Sequence, residues 1–420
     1  MARTTPPPVN RSQEQSDVYA QRVVEAAFLW LLRSIAVDQS HYTVDEIAEL
    51  EQRLTTELDE LMSSNLGWQA CEAALPPGEA GVVFTAMVMA VRNHANAKIQ
   101  KVVEVGLANA RASKGLISAL GWLPGELVQP WIARFLNSKD LNHKYLGLAA
   151  CSVRREDPGE QLNALLQRED CRSHAKLHGR ALRLIGELRR QDMVPALQAA
   201  MGASEPTVAF WANWSAVLLG ERAATQRLQS FAFHRGPFQT HAIQLCFRAL
   251  PSKRAREWAS KLATDSAQIR AVIQAIGVIG DPHAVKWLIG KMAEPLLARL
   301  AGEAFVYITG IDLEKYQLTR PATEGQLLIP DDNFNDAHLG IDEDENLLWP
   351  DKDKVAEFWH SHGQHFSVGQ RYFLGKQIAA DWLESKLAYG TQRQRHAAAL
   401  ELALFDPQER LINTRARVSR

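Results

Sequence analysis

The sequence predicts an all-α protein: a solenoid of stacked helix pairs, with a helical region before it and a helical cap after it. Three observations predict this. Apolar residues recur at helical spacing through the middle of the 420-residue chain, with only short breaks. One pattern, an apolar helix rich in small residues, a turn and a second amphipathic helix, returns in segments beginning at Ser113, Lys144, Arg180, Trp211, His241, Arg270 and Leu300. Glycines at the expected turns, Gly121, Gly186, Gly220, Gly280 and Gly310, follow one another at one or two units of a period of roughly 30–34 residues. Two helices of about 12 residues and two short turns require a unit of that length. One helix pair cannot bury its apolar face alone, so pairs stack and share a core.

The elements follow in chain order. Residues 1–16 are rich in Pro, Ser and Gln, lack the apolar core of a secretory signal, and read as a disordered lead-in. Residues 17–95 read as helical. Thr43 and Glu46 form a capping box ahead of an acidic, periodic helix. The apolar runs 26–37 and 81–91 are shorter than the roughly 20 residues a membrane span needs, so both read as buried helix faces.

Residues 96–310 form the repeat array, and its clearest unit is 271–292. Val272, Ala275, Ile276 and Ile279 share one helix face, Gly280-Asp281-Pro282 stops the helix, and Val285, Leu288, Ile289 and Met292 line the next. This unit resembles the short HEAT-like repeats of the phycobilin-lyase type. Residues 311–354, with Pro321, Pro330, Pro350 and two acidic runs, read as an acidic irregular segment. Residues 355–420 return to helix, and 369–404 reads as a helix, turn, helix that caps the array.

The net charge of −1 hides an asymmetry. It is −7 over residues 1–95, +11 over 96–310 and −5 over 311–420. The total argues against a protein that is basic overall; the basic middle points to an acidic partner. Arg154-Arg155, Arg189-Arg190 and Lys253-Arg254-Arg256 read as turn residues at matching phases of three repeats, so stacking aligns them into a basic edge. Residues 311–370 carry a net −9 and are an expected internal screen for that edge. Cys71, Cys151, Cys171 and Cys246 show no CxxC spacing and read as core thiols of a cytoplasmic protein. Most of the eleven tryptophans, among them Trp211, Trp214 and Trp287, fall on helical faces and read as core.

Motifs for chemistry are sparse. His360, His362 and His365 lie close together, but their spacing matches no zinc motif, and no metal or cofactor is expected. Residues 342–353 imitate a calcium loop, with Leu347 where the turn needs Gly and Asp353 where the site needs Glu. HEAT-like folds include a di-iron hydroxylase family that uses His-Glu dipeptides, and this chain has none. It also has no GxSxG, Walker A, GxGxxG or HExxH element.

The ends of the chain carry a second resemblance. Trp30, residues 58–68 (LDELMSSNLGW), 348–351 (LWPD), 366–375 (FSVGQRYFLG) and 390–404 (GTQRQRHAAALELAL), with the repeats between them, look like a proteobacterial family of HEAT-repeat proteins of uncharacterised function. Members of that family are often found near type VI secretion genes. The resemblance implies a non-catalytic scaffold or adaptor that binds an effector or spike component, or an immunity-like role. A nucleic-acid-binding HEAT-like protein is the second expectation, since some such arrays grip duplex backbones. A lyase-like or metal-dependent enzyme is the third.

Overall fold

The computed structural model describes residues 11–322 and 343–418, and among them it is all-helical, with 22 α-helices and one small hairpin. No helix among the described residues is long and apolar enough to cross a membrane. The chain divides into two compact units, 1–38 with 42–188 and 413–420, and 39–41 with 189–412.

The first unit holds α1 (Arg11–Ala36), α2 (Val44–Met62), α3 (Asn65–Ala74), α4 (Ala80–Arg92), α5 (Asn96–Leu107), α6 (Ala112–Trp122), α7 (Gly125–Asn137), α8 (Leu141–Arg154), α9 (Glu160–Gln167), α10 (Glu169–Ser173) and α11 (Ala175–Leu188). Helix α1 begins at Arg11, so 11–16 of the expected lead-in are helical; residues 1–10 lie outside the described residues. Thr43 and Glu46 make both bonds of the capping box at the start of α2. Helix α4 is apolar on every face and buried from Gly81 to Val91, with α1, α3, α5 and α6 around it. A Cβ on Gly115 of α6 would collide with the Ala80 carbonyl, so α6 meets α4 backbone to backbone. Helices α4, α6, α8 and α11 pack each on the next. Residues 17–95 therefore share one core with the first repeats, and the division falls at 188/189 rather than at the expected 95/96.

The second unit holds α12 (Val194–Ala200), α13 (Pro206–Leu218), α14 (Ala224–Phe233), α15 (Gln239–Ala249), α16 (Ser252–Leu262), α17 (Ile269–Ile279), α18 (Val285–Lys291), α19 (Pro295–Thr309), α20 (Lys352–His362), α21 (Ala380–Tyr389) and α22 (Gln392–Phe405). Helices α13, α15, α17 and α19 again pack each on the next. The repeat at 271–292 forms as its pattern predicts, with its named apolar residues buried. Residues 369–379 are not helical: β1 (Tyr372–Phe373) and β2 (Lys376–Gln377) pair antiparallel across Leu374-Gly375, both at positive φ, the geometry a two-residue hairpin turn needs. The hairpin amides serve helix ends. Leu374 N donates to Tyr307 O at 2.6 Å and Gly375 N to Ile308 O at 3.2 Å, at the last turn of α19, where carbonyls lack helical partners.

The turn register differs from the one the glycines suggest. Gly121 lies inside α6 and Gly186 inside α11. The left-handed residue after the first helix of a pair is His94, Arg155, Arg189, Gly220, Gly280 or Gly310. Most of these follow one another by a single repeat; His94 to Arg155 and Gly220 to Gly280 are double steps. Each double step spans a Leu-Pro, Leu123-Pro124 or Leu250-Pro251, where Leu is extended at φ −75° and −74°. Proline disfavours the α region for the residue before it, so these turns take the other exit. Gly280 has two reasons to be glycine: φ is 71°, and a Cβ would strike the Tyr372 carbonyl.

Candidate functional site

The expected basic edge does not form. Arg154 ends α8, and its Nη1 donates to Leu120 O at 3.0 Å and Leu123 O at 2.8 Å, capping α6, while its Nε donates to Glu156 at 2.8 Å. Cations belong at helix C-termini, where partial negative charge collects. Arg189, only 5% exposed, donates to the carbonyls of Leu218, Ala403 and Glu409, and Arg190 pairs with Asp192 at 2.8 Å. Lys253, Arg254 and Arg256 lie within α16 rather than at a turn; Arg254 reaches Glu257 at 3.8 Å and Arg256 reaches the buried Asp281 at 3.5 Å. The matching phase holds for Arg155 and Arg189 alone, and there the side chains turn inward.

Arg155 belongs to a cluster across α8 and α11 that pattern reading missed. Glu187 is fully buried. It accepts from Arg183 Nε at 2.8 Å, pairs with Arg155 at 3.2 Å and accepts from Ser152 Oγ. Arg180 donates to Ser152 Oγ at 3.4 Å and to Tyr145 Oη at 3.3 Å. Burial opposes charge on Glu187, but Arg183, Arg155 and Ser152 outweigh it and hold the carboxyl below its usual range. Burial lowers Arg155 and Arg183 in turn. The cluster locks two helices together. The i, i+4 spacing of Arg183 and Glu187 was its one local signal.

The three histidines do not converge. His362 stacks on Phe358 at 4.0 Å, and His365 lies in a separate turn. Among the described residues no three His, Cys, Asp or Glu side chains group as metal ligands do. The carboxylates of the calcium-like stretch are engaged elsewhere. Asp344 pairs with Arg270 at 2.8 Å, which ties the acidic run to a repeat arginine, and Asp351 caps α20; residue 342 lies outside the described residues. All four cysteines are buried, and burial pushes Cys71 and Cys151 up to about 12.

The surface that stands out is on α1. Its inner face, with Val23, Ala26, Leu29, Trp30 and Ala36, is buried. From Val24 onward its outer face is apolar too. Val24, Phe28 and Leu31 follow one another at helical spacing and are 59%, 54% and 48% exposed, with the half-buried Ile35 one turn on. The run 26–37 is therefore buried on one face only. Helices apolar all round are normally enclosed, and a contiguous exposed apolar stripe marks an interaction surface. No protein-family model, no curated protein and no solved structure matches this chain.

Proposed function

We propose that the chain is a non-catalytic protein-binding scaffold, a solenoid of helix pairs whose α1 face docks a partner protein. One observation carries this reading: the stripe of Val24, Phe28 and Leu31, exposed on a helix whose opposite face is core. The stacking of first helices within each unit, and the return of the left-handed turn at single or double repeats, support the solenoid. The inward use of Arg154, Arg155 and Arg189 removes the main support for a phosphate-gripping edge. The resemblance of the chain's ends to the HEAT-repeat family supports a type VI secretion effector or spike component as the partner. The test is affinity capture at moderate salt with wild type and the double variant Phe28→Glu/Leu31→Glu. Both side chains are exposed, so the variant keeps its helical circular dichroism. It is expected to lose a specific protein that wild type retains. Equal recovery by both, or no specific protein with either, overturns the reading.

A further inference from the structure

In the first unit, residues 413–418 (Asn-Thr-Arg-Ala-Arg-Val) lie along a seat formed by residues of α1, α2, α6 and α8. Its floor is the buried pair Arg33–Glu51, 2.8 Å apart, with the two residues 9% and 3% exposed. Each partner has a valence left for main chain. Arg33 Nη2 donates to the Arg415 carbonyl at 2.9 Å, and Glu51 Oε2 accepts from the Val418 amide at 2.8 Å. A charged donor and acceptor set for one carbonyl and one amide recognise a peptide backbone whatever its side chains.

The walls read the side chains. Asp38 accepts from Arg415 Nε at 2.8 Å. The Arg417 guanidinium lies 4.2 Å from the centre of the Trp122 ring and donates to Thr55 Oγ1 at 3.1 Å. Val418 packs on the cluster of Ala36, Val37, Ile47 and Leu50. Asn413 Nδ2 donates to the Val153 carbonyl at 2.7 Å. A carboxylate, an aromatic face and an apolar patch at successive stations suit the order Arg-x-Arg-Val, with Arg415 and Arg417 still exposed.

We propose that this groove is a receptor for an arginine-bearing peptide segment of a partner protein, and that residues 413–418 are its resident occupant. The inference deepens the scaffold reading by naming what a partner presents. Its test involves peptide alone, so it stands or falls apart from capture through the α1 face. A covalently attached occupant competes at an effective concentration of about millimolar, so an outside peptide binds wild type weakly.

A labelled peptide of residues 411–418 is titrated by fluorescence anisotropy against the full chain and its Arg415→Glu/Arg417→Glu variant, which weakens the occupant and leaves the groove intact. The variant is expected to bind saturably, roughly tenfold or more tighter than wild type. A peptide with the same two reversals is expected not to bind, and adding Trp122→Ala or Asp38→Ala to the variant is expected to weaken capture. A folded variant that shows no saturable binding overturns the proposal. If the variant does not fold, wild type with a protease site between Ile412 and Asn413 is cut after folding. The cut segment is expected to stay bound and to exchange with excess labelled peptide. Loss of the segment without rebinding overturns the proposal equally.

Discussion

Arg155 and Arg189 occupy the same repeat position and come to opposite ends. Both follow the first helix of a pair, one repeat apart, in the left-handed conformation at φ 55° and 61°. Arg155 turns back to the Ser152 carbonyl and the Glu187 carboxylate, so a charge answers its charge. Arg189 sits among the carbonyls of Leu218, Ala403 and Glu409, and burial lowers it to about 10, still protonated at neutral pH. The repeat sets the backbone at this position; the neighbours set what the side chain does. Basic residues at matching phases thus gave no shared surface.

Glu187→Ala leaves Arg155 and Arg183 without their buried carboxylate and is expected to destabilise the first unit by about 3–5 kcal/mol in urea titration. Arg189→Ala strands helix-end carbonyls in the second unit and is expected to cost about 2–3 kcal/mol. Arg189→Gly keeps the left-handed turn, so the difference between the two variants, about 1 kcal/mol, isolates the backbone. If Glu187→Ala and Arg189→Ala shift the same unfolding transition by the same amount, the two arginines do not differ as described.

Arg155→Ala is expected to cost about 1–3 kcal/mol, and much less when Glu187 is already gone, because the two act as a pair. The pair also carries a pH signature. Glu187 titrates lower folded than its ordinary 4.5, so its stabilisation is present above that value and is lost as pH falls below it. Unfolding midpoints of the first unit between pH 5 and about 3 are expected to fall more steeply in wild type than in Glu187→Gln. Arg254, exposed and 3.8 Å from Glu257, marks the floor: Arg254→Ala is expected to shift stability by less than about 0.5 kcal/mol.

Local signals were legible and distant ones were not. The capping box at Thr43, the Gly280-Asp281-Pro282 stop and the buried run of α4 all rest on residues within a few positions of one another. The turn register was misread at Gly121 and Gly186 because the residues that take positive φ at the early pairs are His94, Arg155 and Arg189, whose type does not announce it. The fate of the basic residues was hidden for another reason. Arg189 meets Ala403 across 214 positions of sequence, and no period within a repeat reports that meeting. The exposed half of α1 was equally silent, since an apolar run has the same composition whether one face is buried or two.

The seat of residues 413–418 has a consequence for how the chain is made. The first unit is interrupted after Leu188 and receives its last residues only once the whole stretch from 189 to 412 has been synthesised. At about 5–20 residues per second that is a wait of roughly 10–45 s. Through that interval the Arg415 carbonyl and the Val418 amide that Arg33 and Glu51 bind do not yet exist. If the seat is a receptor as proposed, a partner made at the same time would meet no resident competitor during that interval.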